Sequence, residues 1–379
     1  MKFFKYLFVL LSLILIVSCG GDEDDYDGDT PSGGDGGNGD NSSVEDWEKQ
    51  WSANNPNQAE NMAISPNDII YVAGETLGSL YSERQGKRDA FLAAFNTNGQ
   101  ELWGRQLGSD DVDTFVSGLS VDKQGNIYFA TNSIEKNNVM KFSQDGTKIW
   151  DKSIEVPGVT TLGLDDSGNI YVGTSETYDI LKFSPDGEKL STYNLFSATN
   201  PQNSITKIAV DSEGNIYAGG WTSEDLFAEK QGGGDAFLVK LAPDGTQLWG
   251  KQWGGSVGDY ISVHDMLIDN SNNLYVTTHF DGAPMLLKFS PTGENLWRSP
   301  AQYAGSKKAL SFNKHGQIYL CGRRMVYGFN PDGNQIWEWE SSDKYFSAGD
   351  ISFDSKNNLY IFGSHYDNFL IKISSSNIK

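Results

Sequence analysis

The stretch IAVDSEGNIYAGG, residues 208–220, alternates apolar and polar side chains on either side of a polar centre, Asp-Ser-Glu-Gly-Asn. Period-two alternation marks two half-buried strands, and Gly214 stands where a tight turn needs a left-handed backbone. The same sentence recurs as MAISPNDIIYVAG, LSVDKQGNIYFA, LGLDDSGNIYVG, MLIDNSNNLYVT, LSFNKHGQIYLCG and ISFDSKNNLYIFG. Its tyrosine falls at Tyr71, Tyr128, Tyr171, Tyr217, Tyr275, Tyr319 and Tyr360, so the chain holds seven units. Gly125, Gly168 and Gly316, or Asn272 and Asn357, take the turn place of Gly214.

A second hairpin follows in each unit, as in DAFLVKLAPDGTQLWGKQ and ILKFSPDGEKL, where Pro-Asp-Gly presets the turn. Four strands per unit at this spacing predict an all-β, seven-bladed β-propeller of four-stranded blades. The fourth strand is marked by Trp103, Trp150, Trp249, Trp297 and Trp337, with Ser191 in the third unit. The seventh unit ends without such a strand. Its substitute is WEKQW, residues 47–51, because Trp47 precedes Tyr71 by the interval that separates each tryptophan from the next unit's tyrosine. The N-terminal strand should therefore complete the last blade and remove an unpaired edge. The once-per-blade Tyr and Trp are expected to pack between blades, and Cys321 to be buried filler.

The propeller is expected over 44–379. Before it, residues 1–18 read as a secretory signal, with Lys2 and Lys5 ahead of a short apolar run. Ile16-Val17-Ser18-Cys19 resembles the lipobox of bacterial lipoproteins, which implies acylation of Cys19 and an anchor of several chains. With Cys19 lipidated, Cys321 has no disulfide partner. Residues 19–43 are Asp/Gly-rich and read as a flexible tether, similar to the acidic export signal of lipoproteins displayed on the outer face of the outer membrane. The expected location is the cell envelope. Residues 47–379 carry 40 acidic and 27 basic side chains, a surface that disfavours nucleic acid and anionic lipid. Membrane contact is expected through the lipid alone.

DAFLVKLAPDGTQLWGKQWGGSVGDY (235–260), its sibling DAFLAAFNTNGQELWGRQLGSDDVDT (89–114) and the DxxGNIYVxG units resemble the seven-bladed beta-propeller (SBBP) repeats of exported bacterial proteins. The shorter units are similar to NHL-type repeats and DGTQLW to quinoprotein-like propeller repeats. All three imply a propeller, and none fixes a function.

Several catalytic-looking patterns fail on context. GGSVG around Ser256 has nucleophile-elbow spacing but no helix to follow. GDGGNG, with Gly34, Gly36 and Gly39, lacks a preceding strand. Glu23, Asp25, Asp27 and Gly28 begin like a calcium loop whose bidentate Glu would fall on Gly34. Ser143-Asp145-Gly146-Trp150 resembles the Asp-box of sialidases with its glycine one place early, and reads as turn chemistry.

Tyrosine to closing tryptophan takes 32 residues in units one and four, against 18–22 elsewhere. The extra residues, ETLGSLYSERQGKR and GWTSEDLFAEKQGGG, lie between the second and third strands, on the face that also carries the links between blades. Candidate ligand-binding residues there are Tyr81, Arg84, Arg88, Trp221 and Phe227 from the insertions, and Asp110, Asp111, Asp113, Asp259 and Tyr260 from the links. His279, Arg324 and His365 follow their repeat tyrosines at similar offsets. No metal and no cofactor is expected. The expectation is a monomeric binding module for a glycan, a peptide or an envelope protein. The alternatives are an NHL-like hydrolase or lyase with a metal in the central channel, or a non-catalytic scaffold. The channel reading needs carboxylates, Asn or His converging on the axis, whereas MAIS, LSVD and ISFD make the inner strands look chiefly apolar.

Overall fold

The computed structural model describes residues 46–53, 55–109, 111–156, 158–175, 177–195, 203–256, 258–280, 283–300 and 309–378. The signal, Cys19, the tether and Asp110 lie outside the described residues. Among those described, twenty-eight strands form seven antiparallel four-stranded sheets, as expected. Blade one runs Asn57–Ile64, Ile70–Thr76, Asp89–Phe95 and Glu101–Leu107 from axis to rim, and the other blades repeat this order.

The ring closes as the N-terminal strand suggested. Trp47–Trp51 pairs antiparallel with Asp367–Ile373, Trp47 opposite Lys372, and so becomes the outer strand of blade seven. Asp46 fastens this closure, since its carboxylate accepts from the Ser374 N–H and hydroxyl at 2.6 Å each. Burial pushes its pKa up, but those bonds and Lys372 hold it below the ordinary aspartate value.

The repeated words encode one turn and one staple. In blade four Asp211 Oδ1 accepts from the N–H groups of Glu213 (3.0 Å) and Asn215 (2.8 Å), while Oδ2 accepts from Asn215 Nδ2 and the Tyr217 hydroxyl. Asp122, Asp165, Asp269 and Asp354 build the same arrangement. A single carboxylate thus satisfies the donors of a turn that Gly214 closes at φ 80°. Asn272 and Asn357 do so at φ 59° and 69°. The seven repeat tyrosines are buried between blades. The outer tryptophans reach across, as when Trp249 Nε1 donates to Pro291 O of the next blade at 3.1 Å. Lys240 Nζ shares that acceptor and lies 4.8 Å from the Tyr217 ring centre. Cys321 is buried, which pushes its thiol up and leaves it unreactive.

Antiparallel order places the turns between strands one and two, and three and four, on one face. The insertions and inter-blade links share the other.

Candidate functional site

The two insertions are built alike. Asp89, buried at the start of the third strand, accepts from the N–H groups of Gln85 (2.9 Å) and Gly86 (2.7 Å), and Gln106 Nε2 donates to it at 2.8 Å. Asp235 and Gln252 repeat this in blade four. Gln106 and Gln252 then receive the N–H groups of Tyr81 and Phe227 at 3.1 Å. Both aromatic rings lie against the outer strand, over Gly104 and Gly250, where a Cβ would collide with them. Tyr81 and Phe227 are thus anchors of their own loops.

The other candidates divide among several places. Arg84 is exposed and donates to Leu77 O at 2.8 Å. Arg88 faces Glu75 at 3.7 Å and Asp113 at 3.8 Å and lies over the Phe115 ring, which ties blade one to blade two. Asp111 is exposed beside this link with φ 58°. Asp259 accepts the N–H groups of Gly233 and Gly234 on its carbonyl and that of Ser256 on its carboxylate. Trp221 meets Tyr260 edge-on at 6.4 Å, with Tyr260 75% exposed. Arg324 pairs with Glu340. His279 Nδ1 lies 3.1 Å from His264 Nε2, next to the axis.

His365 belongs to a cluster that the sequence reading only half identified. Its Nδ1 is 2.7 Å from Asp343 Oδ2, and its ring lies 4.9 Å from Tyr345 and 5.4 Å from Tyr366. Those tyrosines are 60% and 58% exposed. Burial raises the Asp343 pKa, but the N–H groups of Tyr345 and Phe346 and the His365 ring outweigh it and hold the carboxyl low. Tyr366 has φ 59°, a left-handed conformation costly for an aromatic residue. Its carbonyl accepts the Asn57 N–H at 2.7 Å, which explains the backbone. In blade three Tyr178 also has a positive φ, 54°, but there the ring is buried and its hydroxyl accepts the Asn203 N–H. The two tyrosines thus share a backbone conformation and differ in the exposure of the ring.

The expectation of an apolar axis is corrected. Among the described residues, six inner strands carry a bulge near their start, at the end toward the inter-blade links, at Glu60, Ser117, Thr160, Thr206, His264 and Gly349. A bulge turns two consecutive side chains toward one side. Glu60, Asn61, Ser117, Thr160, Thr161, Thr206, Lys207, His264 and Asp265 consequently line an axial cavity of about 240 Å³. Its sequence signal was the polar pairs EN, TT, TK and HD that interrupt the alternation. The apolar halves MAIS, LSVD and ISFD lie further along the same strands.

Much of this polarity holds blades together. Ser117 Oγ donates to Val159 O at 2.7 Å and Thr206 Oγ1 to Val263 O at 2.6 Å. Asp265 and Asp350 accept the Leu310 and Met62 N–H groups of the following blades at 2.7 and 2.8 Å. Lys207 Nζ is 3.2 Å from Asp265. Burial works against this cation, yet Asp265, Asp350 and Glu60 outweigh it and raise its pKa. Burial and the Asp265 charge push Asp350 up to about 7, against Lys207. Among the described residues no group of three His, Cys, Asp or Glu side chains is placed to hold a metal.

Two stretches, 102–137 and 195–228, match the family described as SBBP, beta-propeller repeat. No curated protein matches the chain. Among solved structures it is similar to a catalytically inactive virginiamycin B lyase from Staphylococcus aureus with quinupristin. The TM-score is 0.61 at 10% identity, over 87% of this chain and all of that one. The WD40 propeller of Doa1 gives a TM-score of 0.58 at 13% identity over 86% and 96% of the two chains. The extracellular domain of a one-component system from B. thetaiotaomicron gives 0.56 at 14% identity, over 86% of this chain and 40% of that one. Identities this low bear on the fold alone. The chain is a seven-bladed β-propeller, two stretches of which match SBBP beta-propeller repeats.

Proposed function

We propose that the protein is a lipoprotein of the cell envelope, anchored through Cys19 and carried on the 19–43 tether. Its propeller binds a neutral glycan on the loop-rich face. One observation carries the reading: two exposed tyrosines, Tyr345 and Tyr366, flank a histidine whose ring is fixed by a carboxylate. A sugar's C–H face stacks on an aromatic ring while its hydroxyls donate to a carboxylate such as Asp343 and bond to the His365 ring. The acidic chain opposes anionic polysaccharides. Peptide and protein partners are the competing occupants of the same face.

A glycan array followed by calorimetry tests this. Binding of a neutral glycan that Tyr345→Ala weakens by about tenfold supports it, since a stacked ring is worth roughly 1–1.5 kcal/mol. Binding unaffected by Tyr345→Ala, or selective binding of peptides, overturns it.

The axial cavity favours a second reading, small-molecule chemistry on the axis. Asp350, next to the lining residue Gly349, titrates near neutrality as an acid–base group must, and Lys207 stands beside it. Turnover of a streptogramin-like or ester substrate that is lost in Lys207→Met and in Asp350→Asn would select it.

A further inference from the structure

The third strands of blades one and four read DAFLAAF and DAFLVKL, whereas that of blade two reads NNVMKF. Pairing with the outer strand sets the register: Phe91 lies opposite Gln106, Phe237 opposite Gln252, and Asn138 opposite Ser153. A carboxamide therefore stands where the other two blades bury a phenyl ring. Two exchanges accompany it. Gly74 and Gly220, where a Cβ would crowd those rings, become Thr131. Gly104 and Gly250, which admit Tyr81 and Phe227, become Asp151. Blade two also lacks the insertion, since its second and third strands meet in a tight turn where the Ser133 N–H donates to Lys136 O at 3.2 Å. Blade one fills this space with the rings of Phe91 and Tyr81, 6.2 Å apart, and blade two leaves it open.

The opening lies between the outer strand of blade one and the face of blade two, and measures about 270 Å³. That is just under the roughly 300–1,000 Å³ of sites for larger ligands, so it suits one small ring. Leu107 and Met140 give it an apolar side, and Thr114, Thr131, Asn138 and Asp151 make it polar elsewhere. Asp151 pairs with Lys148 at 2.9 Å, and Lys136 adds a second ammonium. Thr114 Oγ1 and Asn138 Oδ1 are buried with no hydrogen-bond partner among the described residues. Such atoms are few in folded proteins and mark where water or a ligand completes the bonding. A half-turn of the Asn138 amide exchanges its oxygen and nitrogen, so either can meet a ligand.

We propose that this cleft binds a single neutral pyranose ring. The sugar takes the place that Phe91 and Tyr81 fill in blade one, with its C–H groups on Leu107 and Met140 and its hydroxyls on Thr131, Asn138 and Asp151. A hydroxyl both donates and accepts, so a polyol satisfies amide, carboxylate and ammonium together without adding a charge to the existing ion pair. The site is built from blades one and two, away from the tyrosines that flank His365, and it does not rest on the glycan reading made there.

The test is calorimetric titration of the full chain with the methyl pyranosides of glucose, galactose and mannose, beside glucuronate and the zwitterion glutamine. Saturable binding of at least one neutral pyranoside at millimolar concentration is the expected result. The double variant Thr131→Gly/Asn138→Phe installs the pair that blades one and four carry at this register, so it should melt like the parent and lose that binding by about tenfold or more. Asp151→Ala, a partly exposed position that leaves the fold intact, should weaken it by about tenfold through loss of a charged acceptor. Binding unchanged in Asp151→Ala or in a folded double variant, preference for glucuronate or glutamine, or no saturable binding of any pyranoside would overturn the proposal. Tyr345→Ala should leave this titration unchanged, and pyranoside binding lost in Tyr345→Ala alone would also overturn it.

Discussion

Trp47 Nε1 donates to Thr97 O at 3.1 Å, which joins the first strand of the propeller to blade one while its backbone completes blade seven. The same ring packs edge-on to Tyr360 at 6.0 Å. Trp47→Ala removes both and should cost about 3 kcal/mol, read as a shift in the urea midpoint. Removing residues 44–52 should cost more, because the Asp367–Ile373 strand becomes an open edge, and should appear as aggregation in size-exclusion chromatography.

The repeat tyrosines make stability sensitive to alkali. Burial, and in most blades the capping aspartate, pushes their pKa values up, in Tyr71 to about 12. The folded state therefore holds these protons more tightly than the unfolded chain, whose tyrosines titrate near 10. Their contribution is complete below pH 10 and declines as pH rises toward the folded values. Absorbance at 295 nm should show the buried tyrosines ionising only as the circular dichroism of the fold is lost.

Asp350 acts in a lower window. It faces Asp265, Lys207 and the Cys321 thiol, and its oxygens accept the Met62 and Ile351 N–H groups. With a folded pKa near 7 and an unfolded value near 4, it favours folding most at acid pH and progressively less as pH rises between those values. The melting temperature of the parent relative to Asp350→Asn should fall from pH 5 to pH 8. A constant difference would show that this carboxyl does not titrate there.

Tyr366 separates stability from recognition. Tyr366→Asn keeps the turn in a residue that tolerates φ near 59°, so the melting temperature should hold or rise, the relief being about 1 kcal/mol at most. Glycan affinity should drop with the ring. Loss of both together would make the side chain a structural element only.

Gly104→Ala places a methyl group where the Tyr81 ring lies. The ring must leave, and with it the bonds that Gln106 makes to the loop at Leu80 and Tyr81. Limited proteolysis should cut the 77–88 insertion faster, with a stability loss of about 1–3 kcal/mol.

The blade count, the closure by WEKQW and the buried tyrosines could be read from the chain, because a repeat restates its hydrophobic alternation and turn residues seven times. The duplicated insertions could be located as well, since length alone betrays them. Where Tyr81 and Phe227 point could not, because Gly104 and Gly250, which admit the rings, lie about twenty residues further along. The axial cavity escaped for a related reason. A bulge shifts the side-chain period by one residue, so Glu60, Lys207 and His264 face the axis against the alternation that predicts their strands. His365 was singled out by its offset, yet Tyr345 and Asp343 come from the preceding inter-blade link and join it only in space. Repetition determined the scaffold; packing between unlike blades decided which side chains meet on it, since a contact across blades depends on two segments that no local pattern compares.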